Sequence, residues 1–425
     1  MANLMTDVVR AMRTMATETS TLVDFNPFKA EFSQNPYPTY HALRECNPVF
    51  AVLGCQGRDW IVTSFEHARF VLTDSRFIVE DLRERVQKMA SSMRAERSVE
   101  GLCKTLATWL FFVNEPAHGC LRRVLAPAFS KEGIYSLRVQ IAGIVQDLVR
   151  PALVKERIDV ITDIACLLPA RVSAAILDFK QASFSELAAL SSEVFGLFTQ
   201  PLSLRRYQAI DASIRKLNQH IEVYLKAQRI HPTSSVALAI IEEMDSGRLS
   251  VDQAVALCNM IFSVGQDTTQ NLIGNAVNVL LNHPLHESAV RKNPELLPAM
   301  VREVARFDSP VQLVLRIASE EIALGGKTIK EGERVHVYLG AALRDPAAFL
   351  NPDEFDFHRP FQSSLPFGAG IHFCLGFHLA QLQTEIALES MMQHLPVLRS
   401  TGEPSRWIRS VHIRGLQSLP LLATQ

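Results

Sequence analysis

Residues 250–281 carry two charged side chains, Asp252 and Asp267, in a long run of apolar and small polar residues. Ser250 and Gln253 fit a capping box, and Asp252 suits the positive end of a helix. The apolar pattern runs to Leu281 and stops at Asn282-His283-Pro284. At 1.5 Å per residue such a helix spans about 45 Å, the width of a whole protein of this size. With so little charge it must be buried nearly all round. The rest of the chain has to supply the cover.

Helical spacing dominates elsewhere too. Residues 36–46, 66–73, 117–128, 133–150, 164–176, 184–197 and 203–229 carry apolar residues three to four apart. Strand-like segments are fewer and clustered. Residues 48–53 and 59–63 read as a hairpin around Gly54–Gly57. Residues 313–318, 321–324 and 333–338 form a second set, and residues 395–398, 409–414 and 418–423 a third. The expected fold class is mostly α with a small β region built from both ends of the chain. No repeat, low-complexity block or Gly/Ser linker divides it. Residues 25–425 are therefore expected to form a single domain behind a loose tail at residues 1–24.

Composition works by exclusion. Of 425 residues, 48% are hydrophobic and 20% charged, which fits a large buried core and not disorder. Lys plus Arg is 43 against 44 Asp plus Glu, so charge supplies no drive toward nucleic acid or an anionic membrane. The seven cysteines are widely spaced, with no C-x-x-C pair, which argues against a disulfide framework or structural zinc and for a reducing compartment. No uncharged run of 18 or more apolar residues occurs, and Asp7, Arg10, Arg13, Glu18 and Asp24 punctuate the start. A cytoplasmic protein without a membrane anchor is expected.

One cysteine stands out. Residues 365–385 read Leu-Pro-Phe-Gly-Ala-Gly-Ile-His-Phe-Cys-Leu-Gly-Phe-His-Leu-Ala-Gln-Leu-Gln-Thr-Glu. Gly368, Gly370 and Gly376 open the backbone around Cys374, and a periodic apolar helix follows to about Met392. A cysteine just before a helix N-terminus is favoured as a thiolate. The glycines let main chain approach a flat object without Cβ clashes. A lone cysteine beside glycines is most simply a buried structural thiol. Here Phe367, Gly370, Cys374 and Gly376 fill F-x-x-G-x-x-x-C-x-G, with His372 two residues before the cysteine, which is far more restrictive. The segment resembles the haem-binding loop of the cytochrome P-450 family, the haem-thiolate monooxygenases.

The resemblance covers nearly the whole chain. Glu303-Val-Ala-Arg306 matches the family's E-x-x-R, whose two charged residues share a helix face and can pair. Phe355, Asp356 and Arg359 follow like the family's meander, which the resemblance implies is locked by Glu303, Arg306 and Arg359. Residues 261–269, Ile-Phe-Ser-Val-Gly-Gln-Asp-Thr-Thr, resemble the oxygen-binding segment A-G-x-[D/E]-T-T. Gly265, Asp267 and Thr268 match, and Val264 in place of Ala should narrow the distal pocket. A glycine and hydroxyl side chains can loosen the helical ladder there. Residues 114–129 resemble the third long helix, with His118 and Arg122 on one face. Residues 35–44 resemble the first helix and residues 413–420 the closing strand. Leu343 stands where the family usually has Asn.

The resemblance implies a cytochrome P-450 fold with the long central helix over one haem b. Cys374 becomes the axial iron ligand, in a loop with Phe367, Gly368 and Gly376. His118, Arg122, Arg316 and His372 meet the propionates by charge-assisted hydrogen bonds. Thr268 and Asp267 manage the two protons that dioxygen cleavage consumes, and the thiolate pushes electron density toward iron. Because the haem domain takes up the whole length, electrons should come from NAD(P)H through a separate ferredoxin reductase and ferredoxin, to a chain expected to be a monomer. Expected pocket residues are Leu106, Trp109, Leu110 and Phe111, Ile261 and Val264, Val311, Leu313 and Val314, and Val411. They are apolar, so the substrate should be mostly hydrocarbon. An isoprenoid is favoured, with a fatty acyl chain or polyketide as alternatives. Two other activities stay open. A peroxide-using haem-thiolate hydroxylase would need no electron partner, although that subgroup typically replaces the acid–alcohol pair. A non-catalytic haem sensor would not need the pair at all.

Overall fold

The computed structural model describes residues 25–54, 57–179, 184–198, 202–360, 365–395, 397–403 and 405–422. The tail expected at residues 1–24 lies outside them. The helices that matter below are α1 (Tyr37–Cys46), α2 (Phe65–Thr73), α3 (Glu100–Leu106), α4 (Ala117–Leu125), α5 (Leu167–Leu177), α6 (Phe184–Phe195), α7 (Leu204–Ile230), α8 (Val251–Val264), α9 (Asp267–Asn282), α10 (Leu297–Phe307) and α11 (Phe377–His394). The strands are β1 (Val49–Gly54), β2 (Gly57–Val62), β3 (Phe77–Ile78), β4 (Arg157–Asp159), β5 (Leu313–Ala318), β6 (Ile322–Leu324), β7 (Lys327–Ile329), β8 (Arg334–Tyr338), β9 (Arg399–Ser400) and β10 (Pro420–Leu422). Arg406–Trp407 and Leu416–Ser418 are further short strands. Chain contacts divide these elements into two units.

The first unit takes residues up to 80, residues 302–374 and residues 406–415. It is built on a five-stranded sheet of order β1-β2-β8-β5-β3. β1 and β2 form an antiparallel hairpin from Val49–Val62 to Gly54–Gly57, and β2 then runs parallel to β8. Side chains alternate between the faces, as the two-residue period of a strand requires. Trp60, Val62, Val335 and Val337 pack with Val71 and Leu72 of α2. Ile61, Leu313 and Tyr338 pack with Tyr37, Tyr40 and Leu43 of α1. The strands thus come from both ends of the chain. Gly325 and Gly326, both at positive φ, turn β6 into β7, a strand absent from the sequence expectation.

The second unit holds residues 81–301, 375–405 and those from 416 onward. It is helical, with a small sheet of order β4-β10-β9. α7 packs on α3, α6 and α8, and α9 packs on α11. Residues 254–263 of α8 are all buried, in keeping with their lack of charge.

Several boundaries differ from expectation. The long helix is broken: α8 ends at Val264, Gly265 and Gln266 form a turn, and α9 starts at Asp267. The segment 133–150 divides into Lys131–Tyr135 and Arg138–Leu153. The segment 164–176 opens with a wide π turn, Val160–Ala165, capped by Asp159 through the N–H groups of Ile161 and Thr162. Residues 409–414 form a loop with one bridge, Val311–Ile413, because Ser410 Oγ takes the N–H groups of His412 and Ile413. At 395–398 the strand falls later, at β9, and 418–423 is interrupted at Leu419. Val160–Leu177 is long and apolar enough to cross a membrane by composition, and 67% of that window is buried inside the protein.

Candidate functional site

In the first unit, Cys374 ends a looped segment. Its N–H donates to the Phe367 carbonyl at 2.9 Å, and the Gly368 N–H to Leu365 at 2.9 Å, so the chain folds back before the cysteine. Gly368 and Gly370 have φ of +83° and +67°, a region L side chains rarely adopt. A Cβ at Gly370 would also lie 2.5 Å from the Leu72 carbonyl at the end of α2. The loop therefore sits against main chain too closely for any side chain there. His372 and Cys374 are half-buried. Gly376 is the N-cap position of α11.

Glu303 and Arg306 form a closed buried pair on α10. Arg306 Nε donates to Glu303 Oε2 at 2.8 Å and Nη2 to Oε1 at 2.7 Å. The guanidinium then bonds the carbonyls of Leu343, Pro352 and Glu354 at 2.9, 2.8 and 3.1 Å. Arg359 lies 3.5 Å from Glu303 Oε1 and donates to the carbonyls of Leu350 and Asn351. Main chain, charge and helix are fastened at one point. Leu343 contributes through its carbonyl, so an apolar side chain is tolerated there.

Arg316, on β5, is the opposite case. It is 8% exposed, and its Nη1 donates to the adjacent Leu315 carbonyl at 2.8 Å. Among the described residues no carboxylate lies within ion-pair reach. Burial brings its pKa down to about 10. A buried cation without a counter-charge is costly, so an arginine kept there fits an anionic ligand.

In the second unit, Val264, Gly265, Asp267 and Thr268 are half-buried beside the fully buried stretch before them. Burial pushes the Asp267 carboxyl up to about 6, and among the described residues no Lys or Arg pairs with it. A carboxyl in that range both takes and gives protons near neutrality. A Cβ at Gly265 would lie 3.3 Å from the Ile261 carbonyl. His118 and Arg122 share a face of α4. His118 is 1% exposed, with Nδ1 3.6 Å from Glu115 Oε1. Burial lowers its pKa; Glu115 opposes that and Arg122 adds to it.

The expected pocket residues fall into both units. In the second, Trp109 is fully buried and stacks with Phe112 and Phe198 at 6.5 and 6.3 Å, while Phe111 is 45% exposed and meets Phe198 edge-on. Leu106, Leu110 and Ile261 are buried. In the first, Leu313 and Val411 are buried and Val311 and Val314 half-buried.

Sequence reasoning missed Arg344, Asp308, Arg414 and Gln266. Arg344 donates to the Phe307 carbonyl and to Asp353, over the Tyr37 and Phe307 rings. Asp308 accepts from Tyr37 Oη at 2.6 Å and from Arg414, which stacks on Trp407. A lone buried Asp beside a helix end gives no periodic signal, and only the partner's position reveals it.

Comparison with known proteins gives a consistent answer. The Cytochrome P-450 family model matches residues 60–410. The chain is 30% identical over 392 residues to a biotin-biosynthesis cytochrome P-450 of Bacillus subtilis, covering 92% of this chain and 97% of that one. It is also 30% identical to an epothilone C/D epoxidase of Sorangium cellulosum, covering 91% and 92%. The crystal structure of P450BioI in complex with an acyl carrier protein carrying hexadec-9Z-enoic acid superposes with a TM-score of 0.85 at 30% identity, covering 92% of this chain and 99% of that one. A cysteine loop of this pattern, an E-x-x-R pair closed on its meander and a family match across most of the length place this chain in the cytochrome P-450 family of haem-dependent monooxygenases.

Proposed function

We propose that residues 25–425 act as one monomeric cytoplasmic domain that holds haem b through Cys374. It inserts one oxygen atom of dioxygen into an apolar small molecule. Electrons reach it from NAD(P)H through a separate ferredoxin reductase and ferredoxin. The observation that carries this reading is the Cys374 loop, with its cysteine N–H tied to Phe367 and its backbone opened by Gly368 and Gly370. The buried, uncompensated Arg316 fits a propionate, and the donor set of one thiol and several cations fits the haem. The Cys374 thiolate would push electron density toward the bound haem iron, which would supply the oxygen-activating chemistry. His118, Arg122, Arg316 and His372 orient its carboxylates. The Thr268 hydroxyl holds water, and Asp267 relays protons to it. Retention of that pair favours dioxygen over peroxide as oxidant and a catalyst over a sensor.

The lining proposed for the pocket is apolar, so the substrate is mostly hydrocarbon, with an isoprenoid, a fatty acyl chain or a polyketide as candidates. Among the relatives named above, one is an epothilone C/D epoxidase, and P450BioI forms a complex with an acyl carrier protein carrying hexadec-9Z-enoic acid. Neither nucleic acid nor a membrane is part of the proposed activity.

The test is ligation. Reduced Cys374→Ser with carbon monoxide should lose the red-shifted thiolate band, while Cys120→Ser and Cys258→Ser keep it. A thiolate band persisting in Cys374→Ser would overturn the reading. NADPH-driven turnover that appears only with added redox partners separates it from the peroxide-using and sensor alternatives.

A further inference from the structure

An unbroken helix would give the Phe262 carbonyl to the backbone N–H four residues on, that of Gln266. Here α8 ends at Val264, and the Phe262 carbonyl accepts from the Gln266 side chain, Nε2 at 2.7 Å. Ser191 Oγ, from α6, reaches the same oxygen at 3.4 Å. Gln266 is 8% exposed, and a buried carboxamide is costly unless bonded. Its nearest polar neighbours on the same helix face are also committed. Ser263 Oγ donates to Asn259 Oδ1 at 3.1 Å, Asn259 Nδ2 to Asn218 Oδ1 at 2.6 Å, and Asn218 Nδ2 to Thr105 Oγ1 at 3.1 Å. A partly buried polar ladder thus runs from α3 through α7 to the last turn of α8. Gln266 stands one turn beyond its end, immediately before Asp267.

We infer that Gln266 is a positioning residue. By occupying the Phe262 carbonyl its carboxamide fixes the break between α8 and α9, and so fixes where Asp267 and Thr268 leave the helix. The idea rests on the proposed role of those two residues in proton delivery. What selects glutamine here is a donor long enough to reach back one turn to the Phe262 carbonyl. Glu, Met or Leu would fill similar space without a permanent donor.

The experiment uses the haem-loaded enzyme, with carbon monoxide as the probe. Gln266→Met keeps length and apolar bulk and removes the donor. Hydrogen–deuterium exchange over residues 262–270 should become about 5-fold faster, with the rest of α8 unchanged. The C–O stretch of the reduced carbon monoxide complex should move, because the distal groups shift, while haem content stays as in the unaltered protein. Unchanged exchange would overturn the inference. So would faster exchange with an unmoved C–O stretch, since Gln266 would then serve stability alone. Should Gln266→Met fail to fold, Gln266→Asn keeps a carboxamide but ends one methylene short of the carbonyl, and the same two readouts apply. Thr268→Ala, run alongside for peroxide released per NADPH, tells the two failures apart. An unchanged ratio there sinks the proton-delivery reading, whereas unchanged exchange at 262–270 sinks this one.

Discussion

Arg306 and Arg316 are buried to nearly the same degree, 5% and 8% exposed, yet they do different work. Arg306 is closed: a carboxylate and three main-chain carbonyls use its donors. Arg316 is open: it bonds its neighbour's carbonyl and meets no carboxylate among the described residues. A closed network holds structure, and removing one member strands the others. An open one is tolerated only where something else completes it, which makes it a mark of binding.

The sharpest way to break the comparison is Arg306→Leu. It strips the buried Glu303 carboxylate of its bidentate partner, leaving only Arg359 at 3.5 Å, and should cost about 3–5 kcal/mol of stability in haem-free and haem-loaded protein alike. Denaturant unfolding of both forms checks this; equal stability to the unaltered chain would end the distinction. Arg316→Leu should behave in the reverse sense. The haem-free protein should be as stable or more so, while haem affinity falls by ~1.5–3 kcal/mol, or roughly 10- to 150-fold. Competition for haem with an apo-globin measures it. Loss of haem-free stability would class Arg316 with Arg306.

Asp267 extends the comparison to an acid. Its folded pKa, about 6, lies above the ordinary carboxylate value, so the folded state holds its proton more tightly than the unfolded one. Its contribution is complete below the ordinary value and is lost as pH rises through about 6. Unfolding of haem-free protein from pH 4 to 7 should therefore show ~1–2 kcal/mol less stability at the upper end, relative to Asp267→Asn. Parallel profiles would remove Asp267 from the set of open groups. The smallest effect expected is Arg359→Ala, at the margin of the closed network. It should cost about 1 kcal/mol in thermal unfolding and leave haem affinity alone. A haem defect there would mean that the network reaches the cofactor.

Regular features of the fold were legible because they repeat. The β1–β2 hairpin, α1, α2 and α7 follow from the spacing of apolar residues, and the buried character of α8 from its lack of charge. What did not repeat was misplaced. The break at Gly265–Gln266 depends on one side chain reaching back to one carbonyl, and the Ser410 turn replaced a strand in the same way. At the site, Cys374, Glu303 and Arg306 were visible because a short motif fixes them. Leu343 departs from the family's usual Asn without consequence for the bond that matters, since Arg306 uses its carbonyl. Asp308 and Arg414 were invisible because 106 residues separate them and neither belongs to a local pattern.

The sheet of the first unit has a consequence for how the protein is made. Asp59 on β2 is paired with Arg334 on β8, 275 residues later. At ~5–20 residues per second, ribosomes deliver that partner roughly 15–55 s after the β1–β2 hairpin is complete. For that interval a strand carrying Trp60, Ile61 and Val62 presents an open edge, the template that promotes aggregation. Yield in a heterologous host should then depend less on final stability than on what shelters this edge during synthesis. Slower synthesis, which rescues many proteins, would lengthen the exposure of this one.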